Sequence, residues 1–184
     1  MSLVRSLKEK AGEYYLGREQ APDRTKSGST LHAAASVAIL YNDSDEAYYK
    51  KIRSYVKLLH ESFGVQRVCA LGYVDNTAKE LPRYQVQKLE YMYFTKSDLN
   101  WHLKPTVSLM HFIDEKFDVL IDLSTSPSLP LRYILKASHA GMKVGTPASG
   151  AAELLDFMIE TQESTSPEDF WNQALFYLSN LPLQ

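Results

Sequence analysis

The sequence predicts an α/β fold: a single Rossmann-like three-layer domain with a mostly parallel sheet, strand order 3-2-1-4-5(-6), and an extra helix at the N-terminus. Three observations predict it. Short apolar runs rich in β-branched residues alternate with stretches of helical period, as βαβ units do. Two runs, one ending in Val37-Ala38-Ile39-Leu40-Tyr41 and the other Phe117-Asp118-Val119-Leu120-Ile121-Asp122-Leu123, are apolar enough to be buried on both faces. The second of them then passes into Ser124-Thr125-Ser126, so a buried strand emerges at a polar loop and feeds a helix. Right-handed crossovers place these two strands side by side at the centre, with the sixth strand beyond the fifth.

The elements follow in order. Residues 3 to 16 form an amphipathic helix with Leu3, Leu7, Ala11, Tyr14 and Tyr15 near one face and Gly17 as its C-cap. Residues 18 to 31 are polar and read as a linker, which sets residues 1–31 apart from a Rossmann-like domain over 32–184. After the first strand, Asn42, Asp43 and Ser44 are candidate N-caps of a helix. Tyr48, Ile52, Tyr55, Val56, Leu59 and Phe63 give it a core face, and Gly64 ends it. Residues 67–74 form the second strand, 75–87 a polar turn and 88–94 a third strand with one wetter face. A loop over 95–105 and a short helix over 106–116 lead into the organising strand. The next helix spans 129–140, capped by Gly141, before a very short strand at 142–145. Residues 146–152 are small and read as a flexible segment, and 154–160 as a sixth strand. Ser166-Pro167-Glu168-Asp169 opens the last helix, with cap, proline and first-turn acids in place. Phe170, Trp171, Ala174, Leu175, Leu178 and Leu181 form its core face.

At 184 residues the chain fits one domain, able to bury about 70 % of its unfolded surface. The net charge of −2 gives no general attraction to nucleic acid or anionic lipid. The N-terminus lacks the unbroken apolar core of a signal peptide, and no stretch is apolar enough to span a membrane. With one cysteine, Cys69, inside an apolar run, a reduced cytoplasmic setting is expected.

No G-x-G-x-x-G, P-loop or G-x-S-x-G motif is present, and His32, His60, His102, His111 and His139 show no paired metal spacing. No cofactor and no metal are therefore expected. What remains is the carboxyl edge of the sheet, where ligands bind in open α/β folds. The strand order brings three loops together there, contributing Asp43, Ser44, Asp122, Ser124, Thr125, Ser126 and Gly145. Hydroxyls at a helix start can fix oxygen atoms, the aspartates can accept from sugar hydroxyls, and Gly145 leaves room for close approach. Against a bare phosphate stand Pro127 and Pro130, which remove backbone donors, and the two aspartates. The competing reading makes the serines helix caps and Asp122 an internal acceptor. Trp101 and His102, near Lys96 and Lys104, form a second candidate able to stack on a base or sugar. The simpler role for Trp101 is to anchor its loop to the sheet.

The run 117–123, the Leu- and Ala-containing helix after it and Ala140-Gly141-Met142-Lys143-Val144-Gly145 are similar to one half of GT-B glycosyltransferases of the heptosyltransferase type. That resemblance covers roughly 30 residues, implies a Rossmann-like half-domain, and carries no catalytic residue across, since the chain lacks the second, donor-binding domain. With Tyr93-Phe94-Thr95-Lys96-Ser97-Asp98-Leu99-Asn100-Trp101 and the terminal helix included, most of the chain resembles a family of small uncharacterised bacterial α/β proteins. The resulting expectation is a non-enzymatic domain with a site for a small polar ligand, sugar or nucleotide-like. The alternatives are an interaction module that binds a partner or a second copy through its N-terminal helix, and a glycosyltransferase-like fragment.

Overall fold

The computed structural model describes residues 3–77, 84, 89–106, 109–162 and 165–180. Six strands form one parallel sheet in the order β3-β2-β1-β4-β5-β6. They are β1 (Ser36–Asp43), β2 (Arg67–Val74), β3 (Tyr91–Thr95), β4 (Val119–Asp122), β5 (Met142–Gly145) and β6 (Phe157–Met158). Helices α2 (Glu46–Phe63), α3 (Met110–Asp114), α4 (Leu129–Ala137) and α5 (Pro167–Asn180) flank it, and α1 (Leu3–Arg18) precedes it. The expected architecture and strand order are thus present, with Ile39 opposite Ile121 and Ala38 opposite Leu120 on adjacent central strands.

The pleat sorts β1 between two cores. Val37, Ile39 and Tyr41 join Ile52, Leu59, Phe170 and Trp171 on the side of α2 and α5. Ala38 and Leu40 join Phe112, Phe117, Leu131 and Ile134 on the side of α3 and α4. Trp171 is stacked on Tyr55, with centroids 4.3 Å apart and planes at 14°. Lys143 of β5 is buried on the α4 side because its ammonium donates to the Leu135 carbonyl at 2.6 Å and the Lys136 carbonyl at 3.3 Å. It therefore serves carbonyls that the end of α4 leaves unpaired, and burial pulls it down to about 8.

The boundaries differ from expectation where pairing overrides local signals. Asn42 and Asp43 continue β1, opposite Tyr73 and Val74 of β2, so neither they nor Ser44 caps α2. The cap is Asp45, whose carboxylate accepts from the Tyr48 amide at 2.8 Å. Gly64 ends the helix as expected, in the left-handed region at φ 68°. Gly17 lies inside α1, and Gly141 caps nothing: α4 stops at Ala137 with Ser138 as C-cap, and the Gly141 amide donates to the Phe117 carbonyl at 2.8 Å. The third strand starts at Tyr91 and the sixth shrinks to two residues paired with Val144 and Gly145. The short helix before β4 covers only Met110–Asp114. The segment after β5 is no loose loop: Thr146 and Ser149 are buried in a 3-10 turn, and the Thr146 and Thr161 hydroxyls are 2.8 Å apart. Leu181, most of the 75–87 turn and Lys88 lie outside the described residues.

Helix α1 docks on α4, and not through the face its apolar residues suggest. Leu7, Tyr14 and Tyr15 are exposed, whereas Leu16 is buried against Leu129 and Tyr133. The reason is Gly12. A Cβ there would stand 2.4 Å from Leu129 and 2.6 Å from the His102 carbonyl oxygen, so only glycine lets the helix approach so closely. The Tyr133 hydroxyl then donates to the Gly12 carbonyl at 2.7 Å, and Lys136 donates to the Leu16 carbonyl at 2.8 Å. The 18–31 segment has no regular structure beyond the last residue of α1, yet it is tied down. Arg24 donates to the carbonyls of Ala140 and Gly141, each at 3.0 Å, and grips both oxygens of Asp156.

Trp171→Ala is expected to destabilise the protein by about 3–5 kcal/mol in chemical denaturation, since it removes a fully buried, stacked indole. A loss below about 1 kcal/mol would mean that α5 is peripheral to the core.

Candidate functional site

The carboxyl ends of β1, β2 and β4 open onto two adjoining clefts. The larger, of about 680 Å³, has α1 as one wall, with Arg5, Lys8 and Glu9. Asn42, Asp43 and Asp75 come from the ends of β1 and β2, Lys96, Leu99, Asn100, Trp101 and Leu103 from the segment after β3, and Ser126 to Pro130 from the start of α4. The smaller, of about 340 Å³, lies between the β1–α2 and β4–α4 loops and includes Ser44, Tyr48, Lys51, Ser124 and Thr125. Asn42 and Ser126 border both.

The candidate residues therefore divide three ways. Asp43, Ser126 and Trp101, drawn from both clusters named by the sequence, face the larger cleft, and Ser44, Ser124, Thr125 and again Ser126 face the smaller. Asp122, Gly145 and His102 border neither. The room expected over Gly145 is filled by Leu155, whose nearest methyl would lie 2.9 Å from an added Cβ. Sequence reasoning named Lys96 only as a neighbour of Trp101 and placed Asn42, Asp75, Asn100 and the α1 residues at no site. Asn42 near the end of β1 and Asp75 just after β2 lie at the same edge and could have been found by that rule. The α1 residues arrive only through the Gly12 contact.

The larger cleft is electrically balanced: Arg5, Lys8 and Lys96 stand against Glu9, Asp43 and Asp75. Arg5 pairs with Glu9 at 3.0 Å, and Lys96 with the Asp75 carboxylate at 3.1 Å. Asp43 accepts from the Tyr84 hydroxyl at 2.9 Å, and Asp75 from the Tyr73 hydroxyl at 3.1 Å. Burial, and then the hydrogen bond to Asp43, raises the Tyr84 phenol above its usual range, so it stays a donor.

Within the 95–105 loop the anchoring role expected of Trp101 falls to its neighbour. His102, 9% exposed, is the anchor, with its ring 4.5 Å from that of Tyr15, whereas Trp101 is 60% exposed. The Asn100 side chain is the hub: its oxygen accepts from the amides of His102 at 3.1 Å and Lys104 at 3.0 Å, and its nitrogen lies 2.8 Å from His102 Nε2. Burial, followed by the Lys104 charge, lowers His102 below the usual imidazole range and favours the neutral ring.

Asp122 closes β4 beneath the smaller cleft. It is 2% exposed and accepts from the Ser124 amide at 3.0 Å. Burial pushes its carboxyl up to about 6, against the opposing pull of the hydrogen bond from the Ser124 amide. No described hydroxyl or thiol shares a hydrogen bond with an imidazole, the arrangement that activates a nucleophile. Burial lifts the Cys69 thiol to about 12, far from the thiolate needed for reactivity. Among the described residues no group of three His, Cys, Asp or Glu could hold a metal ion, and no helix is long and apolar enough to cross a membrane. Hydroxyls, amides, paired charges and one open indole line these clefts.

The family described as "Family of unknown function (DUF6913)" matches residues 8–181. The chain belongs to this family. Its match spans the sheet, α1 from Lys8 onward and both clefts apart from Arg5. No curated protein and no solved structure matches the chain. Nothing in these comparisons bears on the likeness to heptosyltransferase-type enzymes.

Because the folded Asp122 carboxyl titrates above its unfolded value, its contribution is greatest below about pH 4 and is lost as the pH rises through about 6. Asp122→Asn keeps an acceptor for Ser124 and removes the charge. It is expected to match the wild type in stability near pH 4 and to exceed it by roughly 2–3 kcal/mol at pH 7. Denaturation curves across this range check the sign, and a variant less stable at pH 7 would show that the carboxylate is held by favourable contacts.

Proposed function

We propose that the protein is a non-enzymatic binding domain for a small polar ligand, held in the larger cleft at the carboxyl edge of the sheet. One observation carries this reading. Two residue clusters far apart in sequence, Asp43 with Ser126 and the Trp101 loop, converge on one concave space of about 680 Å³, a volume typical of ligand pockets. The ends of β1 and β4 supply the polar groups where open α/β sheets bind ligands. Ser124 and Thr125 extend this site into the smaller cleft, and Asp122 and His102 support it from behind. An interaction module remains the second reading, favoured by the exposure of Leu7 (63%) and Tyr14 (57%), one face of α1 that its docking leaves open.

A thermal-shift screen with sugars, nucleosides and sugar phosphates tests the binding reading. A ligand at about 100 times its Kd adds about 2.7 kcal/mol to stability. The double variant Asn42→Ala/Ser126→Ala is expected to lose that shift while melting near the wild-type temperature without ligand. An unchanged shift in the variant would place the ligand elsewhere, and the absence of any shift would favour the interaction module.

A further inference from the structure

The chain has two tryptophans, and they are treated in opposite ways. Trp171 is buried and stacked flat on Tyr55. Trp101 is 60% exposed at the wall of the larger cleft, and its two ring neighbours meet it at 86° (Tyr15) and 48° (His102), so neither stacks on it. Leaving an indole in water sacrifices a large hydrophobic gain.

The loop that carries Trp101 is nevertheless tightly built. Leu99 and Pro105 form an antiparallel bridge, the Asn100 amide donates to the Lys104 carbonyl at 2.9 Å, and the Leu103 amide returns to the Asn100 carbonyl at 3.1 Å. Leu103 is held at φ 66°, the one positive φ among the described non-glycine residues. A leucine persists in that region only when its surroundings over-determine it, and such positions cluster at ligand clamps. His102 is wedged between Tyr15 and Tyr133 and fixes the base of the loop. The result is a rigid arm that presents an unstacked aromatic ring to the cleft.

The same cleft is lined by the carboxylates of Asp43 and Asp75, the side-chain amide of Asn42 and the hydroxyl of Ser126. Carboxylates accept from hydroxyl groups, and side-chain amides both donate and accept. The cleft's three cations and three anions cancel, and two of the cations are paired within it. A phosphate-bearing ligand would set its charge beside Asp43 and Asp75 without a surplus of cations to offset it. A ring with several hydroxyls and no charge satisfies every one of these groups. Its C–H face also carries the partial positive charge that suits the negative face of an indole.

We propose that the cleft takes an uncharged sugar, a mono- or disaccharide, with one ring stacked on Trp101 and its hydroxyls bonded by Asp43, Asp75, Asn42 and Ser126. This rests on the larger cleft being a binding site. Trp101 is the platform, and Asn100, His102 and Leu103 position it.

Saturation-transfer NMR on the full chain tests it, with glucose, N-acetylglucosamine, galactose and maltose as probes beside adenosine, uridine and inorganic phosphate. The expected result is transfer to ring C–H protons of at least one sugar and none to the nucleosides. Trp101→Ala, an exposed position, should keep the wild-type circular dichroism and weaken the bound sugar about tenfold or more, the scale of losing an aromatic stacking partner. Trp101→Phe should restore part of the loss. Nucleoside binding that Trp101→Ala abolishes, with no sugar bound, would overturn the sugar assignment and leave the cleft as a site. Sugar binding that survives both Trp101→Ala and Ser126→Ala would overturn the assignment and the cleft together, as would silence from every probe.

Discussion

The two central strands are buried on both faces and paired on both edges. Val37 to Tyr41 of β1 and Val119 to Ile121 of β4 are 0% exposed, and β1 is bonded to β2 on one side and β4 on the other. Such strands can hold no unpaired polar group along their length without a penalty of order 1–3 kcal/mol. Polar chemistry is therefore pushed to their ends, and at the carboxyl end it accumulates as Asn42, Asp43, Asp122 and Ser124. Asp122 sits where the apolar run stops, and it remains under enough protein for burial to dominate its titration. The position of both clefts follows from this constraint.

A second consequence is that the cleft needs a wall the sheet does not supply. Helix α1 supplies it, brought within reach by Gly12 and fastened through Tyr133, Lys136 and Leu16. A glycine in a helix interior costs about 0.5–1 kcal/mol relative to alanine. Here it trades helix propensity for contact, and the contact carries Arg5, Lys8 and Glu9 to the edge of the sheet. Arg24 fastens the segment between α1 and β1 to Ala140 and Gly141, just before β5, and to Asp156, so the path from α1 into the sheet is held partway along.

The sheet was legible in the sequence because strand burial leaves a direct mark: the most apolar runs are central, and the run with a wetter face supplies β3 (Tyr91–Thr95) at the edge. Boundaries were less legible. Asn42 and Asp43 have the composition of a helix cap, but their backbone is claimed by pairing with β2, a long-range fact that a local pattern cannot encode. The hydroxyl loop after β4 could be read because it follows a strand at the carboxyl edge of the sheet. The α1 wall could not, since amphipathicity pointed to the Leu7 and Tyr14 face and the docking face is set by one small residue. Trp101 and His102 could be singled out, but which ring would be buried depended on the Asn100 hub and on Tyr15, some 85 residues away.

In the proposed site, the ends of β1 and β2 and helix α1 join the Trp101 loop at the carboxyl edge. Backbone amide chemical-shift mapping during titration with a bound sugar measures this most directly. The shifts are expected to cluster at Asn42 and Asp43, Asp75, Asn100 to Leu103, Ser126 to Leu129 and the first turns of α1, with little change along α5 and β6. Shifts confined to the α5–β6 side, or spread without focus over the surface, would contradict it.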